Sequence, residues 1–338
     1  MQNDFYDSAD KLFSQECTPN LIRQIEQGGA RDDLWQTLID AGFADALLPE
    51  SHDGAGLTLS EVWPILFCMG RHALPLPYAH TILARAWLHQ SGQALPEGPI
   101  TIAPFQVTRD GLGLTARAVN FGKVSSWVLA QTGGSVWLLD TKQAQSQDSG
   151  GHGSLDADLF WPGHIADSCV IDKPALTALK DVLALSLSIL IAGGLDRVFE
   201  MTLAYANQRS QFGKPIGKFQ ALQQQISEVA ELVFGARMAA EMSCRSMGWQ
   251  PNAMLCALAK TQTSAAVPRV TSVAHAVHGA IGVTYEFDLH VYTRRLQEWA
   301  RAGGGSQYWA GVLGQQVLDS NQTSVDFIRT KLFAEPAV

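Results

Sequence analysis

The sequence predicts a multi-domain α+β protein in which helices, a small sheet and a helical bundle follow one another. Three observations predict this order. Apolar residues recur at helical spacing near the start, short β-branched and aromatic runs fill the middle, and long apolar helices occupy the second half. We therefore divide the chain into an N-terminal helical domain (1–97), a middle β domain (98–172) and a C-terminal helical bundle domain (173–338).

The N-terminal domain is predicted to contain at least two helices separated by a loop. Residues 33–48 carry apolar side chains at helical spacing, and residues 58–73 have an apolar face behind a cap at Ser60. Between them, residues 49–56 contain the Pro and Gly residues that are typical of a loop.

The middle domain is predicted to be a small sheet of antiparallel strands. The runs ITIAPFQV, LTARAVNF, SWVLAQT and SVWLLDT are short and separated by Gly, Asp and Ser. The polar, Gly-rich stretch 143–158 is expected to be a mobile loop.

The C-terminal domain is predicted to be an antiparallel bundle, because long amphipathic helices are joined by short connections. Its most apolar run, 182–195, is interrupted by serines and glycines and is too short to span a bilayer, which favours a core helix. The expected helices lie at about 175–207, 219–247, 251–280, 286–301 and 305–333.

Composition excludes several classes of protein. The 338 residues are 46% hydrophobic and 17% charged, which suits a folded chain with a sizeable core, and a net charge of −8 argues against a surface for nucleic acid or anionic membrane. The acidic N-terminus does not resemble a signal peptide. Five scattered cysteines fit a reducing cytoplasm better than a disulfide framework or a zinc site, so we expect a cytoplasmic protein.

A metal site is not predicted. His275, His278 and His290 are close in sequence, but no carboxylate or cysteine completes a ligand set. The phosphate-binding glycine motifs and the G-x-S-x-G elbow of serine hydrolases are also missing from the sequence.

Two motifs carry most of the functional information. The first, within 205–230, reads R-S-Q-F-G-K-P-I from Arg209, with Gln220 following. The second, within 275–307, contains H-G-A-I-G at 278–282, an arginine-rich helix, and then three glycines followed by Ser306 and Gln307. Together these motifs resemble the C-terminal domain of the acyl-CoA dehydrogenase family, and residues 34–62 resemble the same family's N-terminal domain.

The resemblance implies an acyl-CoA dehydrogenase-like fold, FAD as cofactor and α,β-desaturation of a CoA thioester. In the family, a glutamate removes the α-proton and the flavin accepts the β-hydride. An electron-transferring flavoprotein is implied as the electron acceptor, and long apolar helices suggest a homo-oligomer or a complex with a second subunit of the family.

The resemblance also implies cofactor-binding residues. Arg209 matches the arginine that contacts the FAD pyrophosphate of the neighbouring subunit, a contact that suits a guanidinium group. The alternative is a surface arginine at a helix end, with Gly213 as a C-cap. The other matching positions are Gln211, Phe212, Gly213, Ile216, Gln220, Gly279, Ala280, Gly282, Ser306 and Gln307.

The sequence departs from the family where the catalytic glutamate is expected. The commonest position for that glutamate reads Gly303, and the position used by some members, on the helix before Arg209, reads Leu183. Asp181 is nearby but is expected to point elsewhere on the helix. Glu286 matches a family glutamate outside the base position and is interpreted as a structural or capping residue. We therefore predict no catalytic residue at either usual position.

Three functions remain open from the sequence. The chain is the subunit without a catalytic glutamate in a heteromeric acyl-CoA dehydrogenase, as in bacterial pairs of the family that act on steroid side-chain CoA thioesters. It is a self-sufficient dehydrogenase whose base has moved, for example to Asp181 or Glu298. Or it is a structural or CoA-binding homologue without flavin. The family's T-E-P-x-x-G-S-D flavin loop cannot be found in the short middle domain.

Overall fold

The computed structural model of the chain describes residues 2–171 and 177–332. It has the predicted order of helices, sheet and helices. The helices of the N-terminal part are α1 (Gln2–Glu16), α2 (Pro19–Glu26), α3 (Asp32–Asp40), α4 (Leu59–Arg71) and α5 (Tyr78–Gln90). The predicted boundary between residues 172 and 173 lies outside the described residues, so the division into three domains stays a prediction.

Helix α4 begins two residues earlier than predicted, because Thr58 and not Ser60 caps it. The Thr58 hydroxyl accepts a hydrogen bond from the Glu61 amide, and the Glu61 carboxylate accepts one from the Thr58 amide at 2.8 Å. This reciprocal pair is a capping box. Ser60 lies in the first turn, where its hydroxyl donates to the Cys244 carbonyl at 2.9 Å and so ties α4 to the C-terminal bundle.

The middle part forms two sheets, and the prediction of antiparallel pairing throughout was wrong. Strand β1 pairs in parallel with β4, which pairs antiparallel with β5, while a second, antiparallel sheet has the order β2-β3-β7-β6. The run ITIAPFQV divides at Pro104 between the two sheets, which sequence periodicity did not reveal. The strands are β1 (Ile100–Ala103), β2 (Val107–Arg109), β3 (Gly113–Val119), β4 (Trp127–Thr132), β5 (Ser135–Asp140), β6 (Gln145–Asp148) and β7 (Ala157–Pro162).

The stretch 143–158 is not a loop throughout, contrary to the prediction. Its first part contains the fully exposed edge strand β6, which pairs with β7. Strand β7 alternates buried and half-buried residues, as expected for a strand with one face on a core. A short helix α6 (Gly163–Ser168) follows it.

The C-terminal part is the predicted bundle. Its helices are α7 (Leu179–Gln208), α8 (Gln220–Ser243), α9 (Ala253–His278), α10 (Leu289–Arg301), α11 (Ser306–Asp319) and the short α12 (Ser324–Phe327). The last predicted helix, 305–333, was too long, because the chain turns at Asn321 in a left-handed conformation and Thr323 caps a new helix. Residues 175 and 333, at the ends of predicted helices, lie outside the described residues.

Helix α7 is the central helix of the molecule. Within the described residues it is long and apolar enough to cross a membrane by length and composition alone, because the helix extends beyond the apolar run 182–195 on both sides. However, 83% of its most apolar window is buried inside the protein. It crosses α4 closely at Gly70 and Gly193, where any Cβ would clash with the backbone of the other helix. This packing is that of a core helix.

Candidate active-site cavity and cofactor-binding residues

The segment after α7 is a tight β-hairpin that presents the first group of predicted cofactor residues. Ser210 and Gln211 pair with Lys214 and Pro215. The two turn residues, Phe212 and Gly213, have φ of 54° and 78°, the conformation of a type I′ turn. The Arg209 carbonyl closes the hairpin by accepting a hydrogen bond from the Ile216 amide at 2.8 Å.

The side chains of this hairpin point away from the protein. Arg209, Gln211 and Gln220 are exposed, Ile216 is half-buried, and Phe212 is 91% exposed. A large aromatic side chain at the tip of a rigid hairpin gains nothing from the chain's own core, which is typical of residues that contact another molecule. Gly213 lies in the hairpin turn, so the alternative prediction of a helix C-cap was wrong.

The second group of predicted residues, Gly279, Ala280 and Gly282, lies at the same end of the bundle. They form a 3-10 turn after α9, where Gly279 has a φ of 64°. A Cβ on Gly282 would lie 3.0 Å from the His278 Cβ, so only glycine packs there without displacement. The His278 ring in turn stacks on Tyr205 of α7, with ring centroids 4.4 Å apart.

Ser306 and Gln307 lie at the opposite end of the bundle, in the first turn of α11. The end of α10, the start of α7 and the start of α9 meet there. We call this the cavity end, and the end formed by residues 205–220 and 278–290 the hairpin end. Leu183 and Arg209, which mark the two ends on α7, are roughly 40 Å apart at about 1.5 Å per helical residue.

The two positions that lack a glutamate are in contact at the cavity end. A Cβ on Gly303 would lie 3.0 Å from Cδ2 of Leu183 and 3.2 Å from Cδ1 of Leu187. Leu183 therefore fills the space that a side chain from residue 303 would enter. Although 120 positions separate them in sequence (303 − 183), the two residues belong to one site.

The glycine run is a left-handed turn that glycine adopts readily and that other residues adopt only with strain. Gly303 and Gly304 have φ of 63° and 85°, in the left-handed region that disfavours side chains. The Trp309 indole nitrogen donates to the Gly303 carbonyl at 2.9 Å and holds the turn in place. A side chain at residue 303 therefore meets two obstacles, its own backbone conformation and Leu183.

A buried lysine binds the backbone just before this turn. Nζ of Lys260, on α9, donates to the carbonyls of Trp299 and Ala300 at 2.9 and 3.1 Å and to the Ser264 hydroxyl at 3.0 Å. The two carbonyls are at the end of α10, where no helical amide reaches them. Burial lowers the pKa of Lys260 to about 7.

A cavity of about 430 Å³ opens between the middle domain and the cavity end of the bundle. Its walls include Ile102, Asn120, Leu183, Gly303 and Tyr308. Two further clefts adjoin it, one along α9 and α10 and one beside the β4–β5 turn. A volume of this size is usual for small-molecule sites.

Two carboxylates line the cavity, although neither occupies a usual base position. Glu298, on α10, accepts a hydrogen bond from Arg295 at 2.9 Å. Asp156, just before β7, is 8% exposed, and its Oδ1 accepts hydrogen bonds from the Asn120 side chain at 2.9 Å and the Phe121 amide at 3.2 Å. Burial, followed by the charge of Glu298, raises the pKa of Asp156 to about 6.

Sequence reasoning missed Asp156 and Asn120. Asp156 lies in the stretch that was interpreted as a mobile loop. The alternation of Leu155, Ala157 and Leu159 with polar neighbours was the available signal for a strand at this place. Asn120 carried no signal, because its role depends on a neighbour 36 positions away.

The remaining carboxylates that the sequence singled out lie elsewhere. Asp181, on the first turn of α7, is buried and does not line the cavity; burial raises its pKa. Glu286 is exposed and caps no helix in the described part of the chain, so its interpretation as a capping residue was wrong. Ser306 and Gln307 border the cavity in sequence, but the residue of that segment that lines it is Tyr308.

The three histidines have other partners. His275 contacts the Thr293 hydroxyl at 2.9 Å, and the other two rings contact backbone carbonyls of Ala274 and Phe287. Burial lowers the pKa of all three. Within residues 2–171 and 177–332, no group of three or more His, Cys, Asp or Glu residues has the geometry of a metal site.

Comparison with known proteins agrees with the fold and with the motifs. The family "Acyl-CoA dehydrogenase, C-terminal domain" matches residues 180–318. The chain is 28% identical to the acyl-CoA dehydrogenase IpdE2 of Mycolicibacterium smegmatis over 301 residues, which cover 87% of this chain and 91% of IpdE2.

Solved structures share the fold at lower identity. The ChsE4–ChsE5 complex of Mycobacterium tuberculosis contains a chain with a TM-score of 0.79 and 23% identity, covering 95% of this chain and 98% of that one. A variant of the steroid ACAD Tcur3481–Tcur3483 gives a TM-score of 0.81 and 22% identity, covering 94% and 98%.

These matches run through all three parts of the chain and include the hairpin, the glycine turn and the helices around the cavity. The predicted resemblance and fold class are therefore confirmed. FAD is the cofactor of the family. Residues 180–318 match the C-terminal domain of the acyl-CoA dehydrogenase family, and the whole chain is similar in sequence and fold to acyl-CoA dehydrogenases.

Proposed function

We propose that this chain is the subunit of a heteromeric acyl-CoA dehydrogenase that lacks a catalytic glutamate and shares FAD with a partner subunit. One observation carries the proposal. Gly303 and Leu183 contact each other at the cavity, so the leucine side chain fills the space that a glutamate from either position would use. Neither can serve as a base, and the α-proton is then removed in the partner.

The separation of the predicted cofactor residues supports a shared site. Arg209 and its hairpin lie roughly 40 Å along α7 from Leu183, much farther than one extended dinucleotide reaches. The hairpin end and Gln307 therefore belong to two different cofactor sites. Because the hairpin residues face outward, we infer that they contact FAD held by the partner, with Arg209 on the pyrophosphate and Gly279, Ala280 and Gly282 allowing close backbone approach.

The cavity of this chain also has features that fit a flavin. Asn120 lines it, and the buried Oδ1 of this residue is an acceptor for which no donor is found among the described residues. The aromatic rings of Phe105 and Tyr308 border it, with centroids 5.5 Å apart. When bound, FAD supplies hydride acceptance; Ser306 and Gln307, at the start of α11, are the residues of this chain that we expect beside it.

The proposed substrate is an acyl-CoA, with a steroid-derived acyl group as the specific candidate. The names of the similar proteins support it, since one is a steroid ACAD and another is a two-component complex. An electron-transferring flavoprotein as electron acceptor and a cytoplasmic location complete the proposal.

A second function is favoured by one observation. Glu298 lines the same cavity as Gly303, so it is placed better than Asp181 to act as a displaced base in a self-sufficient dehydrogenase. Against this, the Glu298 carboxylate is already engaged in an ion pair with Arg295 at 2.9 Å.

The test is to purify the chain alone and together with any acyl-CoA dehydrogenase-like protein encoded beside it, and to record the visible spectrum of each. We expect flavin only in the co-purified complex. Stoichiometric flavin and dehydrogenation by the lone chain would favour a displaced base instead. Absence of flavin from both samples would favour a structural or CoA-binding homologue without flavin.

A further inference from the structure

Asn120 presents a buried hydrogen-bond acceptor that the protein itself leaves unpaired. The residue follows β3, is 3% exposed and lines the cavity. Its Nδ2 donates to Asp156, but Oδ1 has no donor among the described residues. Buried polar atoms are nearly always paired, so this acceptor in a cavity-lining residue is available to a water molecule or to a donor group of a ligand.

The orientation of the amide follows from its neighbour. Asp156 Oδ1 accepts from both Asn120 Nδ2 and the Phe121 amide. Turning the amide over would set two acceptors against each other, so while Asp156 is ionised the Asn120 oxygen faces away from it. Asp156 therefore determines that Oδ1, and not Nδ2, is the amide atom of Asn120 left without a partner.

The backbone of Asn120 is also held. Its carbonyl accepts a hydrogen bond from the Thr101 hydroxyl at 2.6 Å, and the His80 Nδ1 lies 3.1 Å from that hydroxyl oxygen. Since Thr101 uses its proton on Asn120, the histidine must be the donor in the second contact. Burial lowers the pKa of His80 to about 3, so the ring stays neutral and this arrangement is insensitive to pH near neutrality.

We propose that Asn120 and Asp156 form a subsite that accepts a hydrogen bond from a donor group of the ligand in the cavity. Asn120 makes the contact and Asp156 is its positioning residue. This inference rests on the proposed function, and it adds the chemistry that the ligand must bring, an N–H or O–H group. The flavin imide N–H and a hydroxyl group on the acyl chain of a CoA thioester are the two sources.

The charges around Asp156 make the subsite dependent on pH. Glu298 and Arg295, both on α10, are the charged groups that act on it, in opposite directions. Protonation of Asp156 near pH 6 allows either orientation of the Asn120 amide. The preference for a donor-bearing ligand should therefore weaken below that pH.

The experiment compares two pairs of probes on the complex of this chain with its partner. The first pair is FAD and 3-methyl-FAD, in which a methyl group replaces the imide proton. The second is 3-hydroxybutanoyl-CoA and butanoyl-CoA. We expect one donor-bearing probe to bind about tenfold or more tightly than its counterpart. This ratio of affinities corresponds to the free-energy cost of leaving a buried acceptor without a hydrogen bond.

Two variants assign that preference to the subsite. Asn120→Leu keeps the size of the side chain and removes the acceptor. The preference for the donor-bearing probe should therefore disappear, while any steric effect of the methyl group of 3-methyl-FAD remains. In the Asp156→Asn variant, the preference for the donor-bearing probe should no longer weaken below pH 6. A purely structural role of Asp156 would leave that pH dependence unchanged. The wild-type comparison at pH 7.5 and pH 5 needs no variant and remains decisive if either variant fails to fold.

Each outcome has a distinct meaning. Discrimination within the flavin pair identifies the imide, and discrimination within the acyl pair identifies a hydroxylated acyl group. Equal affinity within both pairs overturns the subsite, because water then satisfies Asn120, while leaving the proposed function intact. Failure of the wild-type complex to bind any of the four probes contradicts the proposed function, and the subsite with it.

Discussion

The two ends of the C-terminal bundle differ in what they retain from the family. The hairpin end carries the motif residues of the family resemblance, and three of their side chains, those of Arg209, Gln211 and Phe212, are exposed. At the cavity end, the two positions where the resemblance predicts a glutamate read Gly303 and Leu183, beside a cavity whose walls include the buried, hydrogen-bonded pair of Asn120 and Asp156. On the function that we propose, this difference arises because the site lies between subunits, so that each end of the bundle serves a different cofactor.

The largest effect is expected when the support of the cavity end is removed. Lys260→Met leaves the carbonyls of Trp299 and Ala300 buried without their donor, which should lower the free energy of unfolding by about 2–4 kcal/mol. Chemical denaturation measures it. Lys218→Met, an exposed lysine beside the hairpin, is the control and should change stability by less than about 0.5 kcal/mol. Equal effects would contradict a supporting role for Lys260.

The pH dependence of stability provides a second test of the same lysine. Its pKa is lowered from 10.5 to about 7 in the folded protein, so between these values the unfolded chain binds a proton that the native protein does not. Stability should therefore rise with pH from about 7 to 10, by at most about 1.4 kcal/mol per unit, and the rise should be absent in Lys260→Met. A wild-type curve parallel to that of the variant would show that Lys260 stays protonated.

A smaller effect is expected at the glycine run. Gly303→Ala places a Cβ in a left-handed conformation and against Leu183, which should lower the free energy of unfolding by about 1–3 kcal/mol. Gly311→Ala in α11 is the matched control, because open space surrounds that position and alanine favours the helix by about 0.5–1 kcal/mol. If both alanines proved neutral, the turn at Gly303 would not be the constraint that we describe.

The hairpin end should show the smallest effect on stability. Phe212→Ser removes a side chain that is 91% exposed, so the free energy of unfolding of the isolated chain should change by less than about 0.5 kcal/mol. The flavin content of the complex should nevertheless fall. A large loss of stability in the isolated chain would show that Phe212 packs on its own protein and not on a partner.

The sequence predicted most of what depends on local interactions. The long helices follow from apolar periodicity, whereas the hairpin at Phe212 and Gly213 was not predicted. What failed depends on contacts between distant residues. The parallel pairing of β1 with β4 joins strands that are not consecutive, and the contact of Leu183 with Gly303 joins the start of α7 to the end of α10.

The polar subsite was beyond sequence reasoning for the same reason. Asn120 and Asp156 are unremarkable polar residues until a β-sheet sets one beside the other. The misplaced cap of α4 has a different cause. Thr58 and Glu61 have the spacing of a capping box, so the sequence alone contained the signal for the correct cap.

The central claim is that the hairpin of this chain holds a cofactor that reacts in its partner. The most direct measurement is the ratio of flavin to protein in the purified complex after Arg209→Gln in this chain, with Arg245→Gln, an exposed arginine between α8 and α9, as control. The account predicts that the first variant loses flavin while the complex stays assembled and that the control keeps it. Full flavin content in the Arg209→Gln complex would contradict the claim.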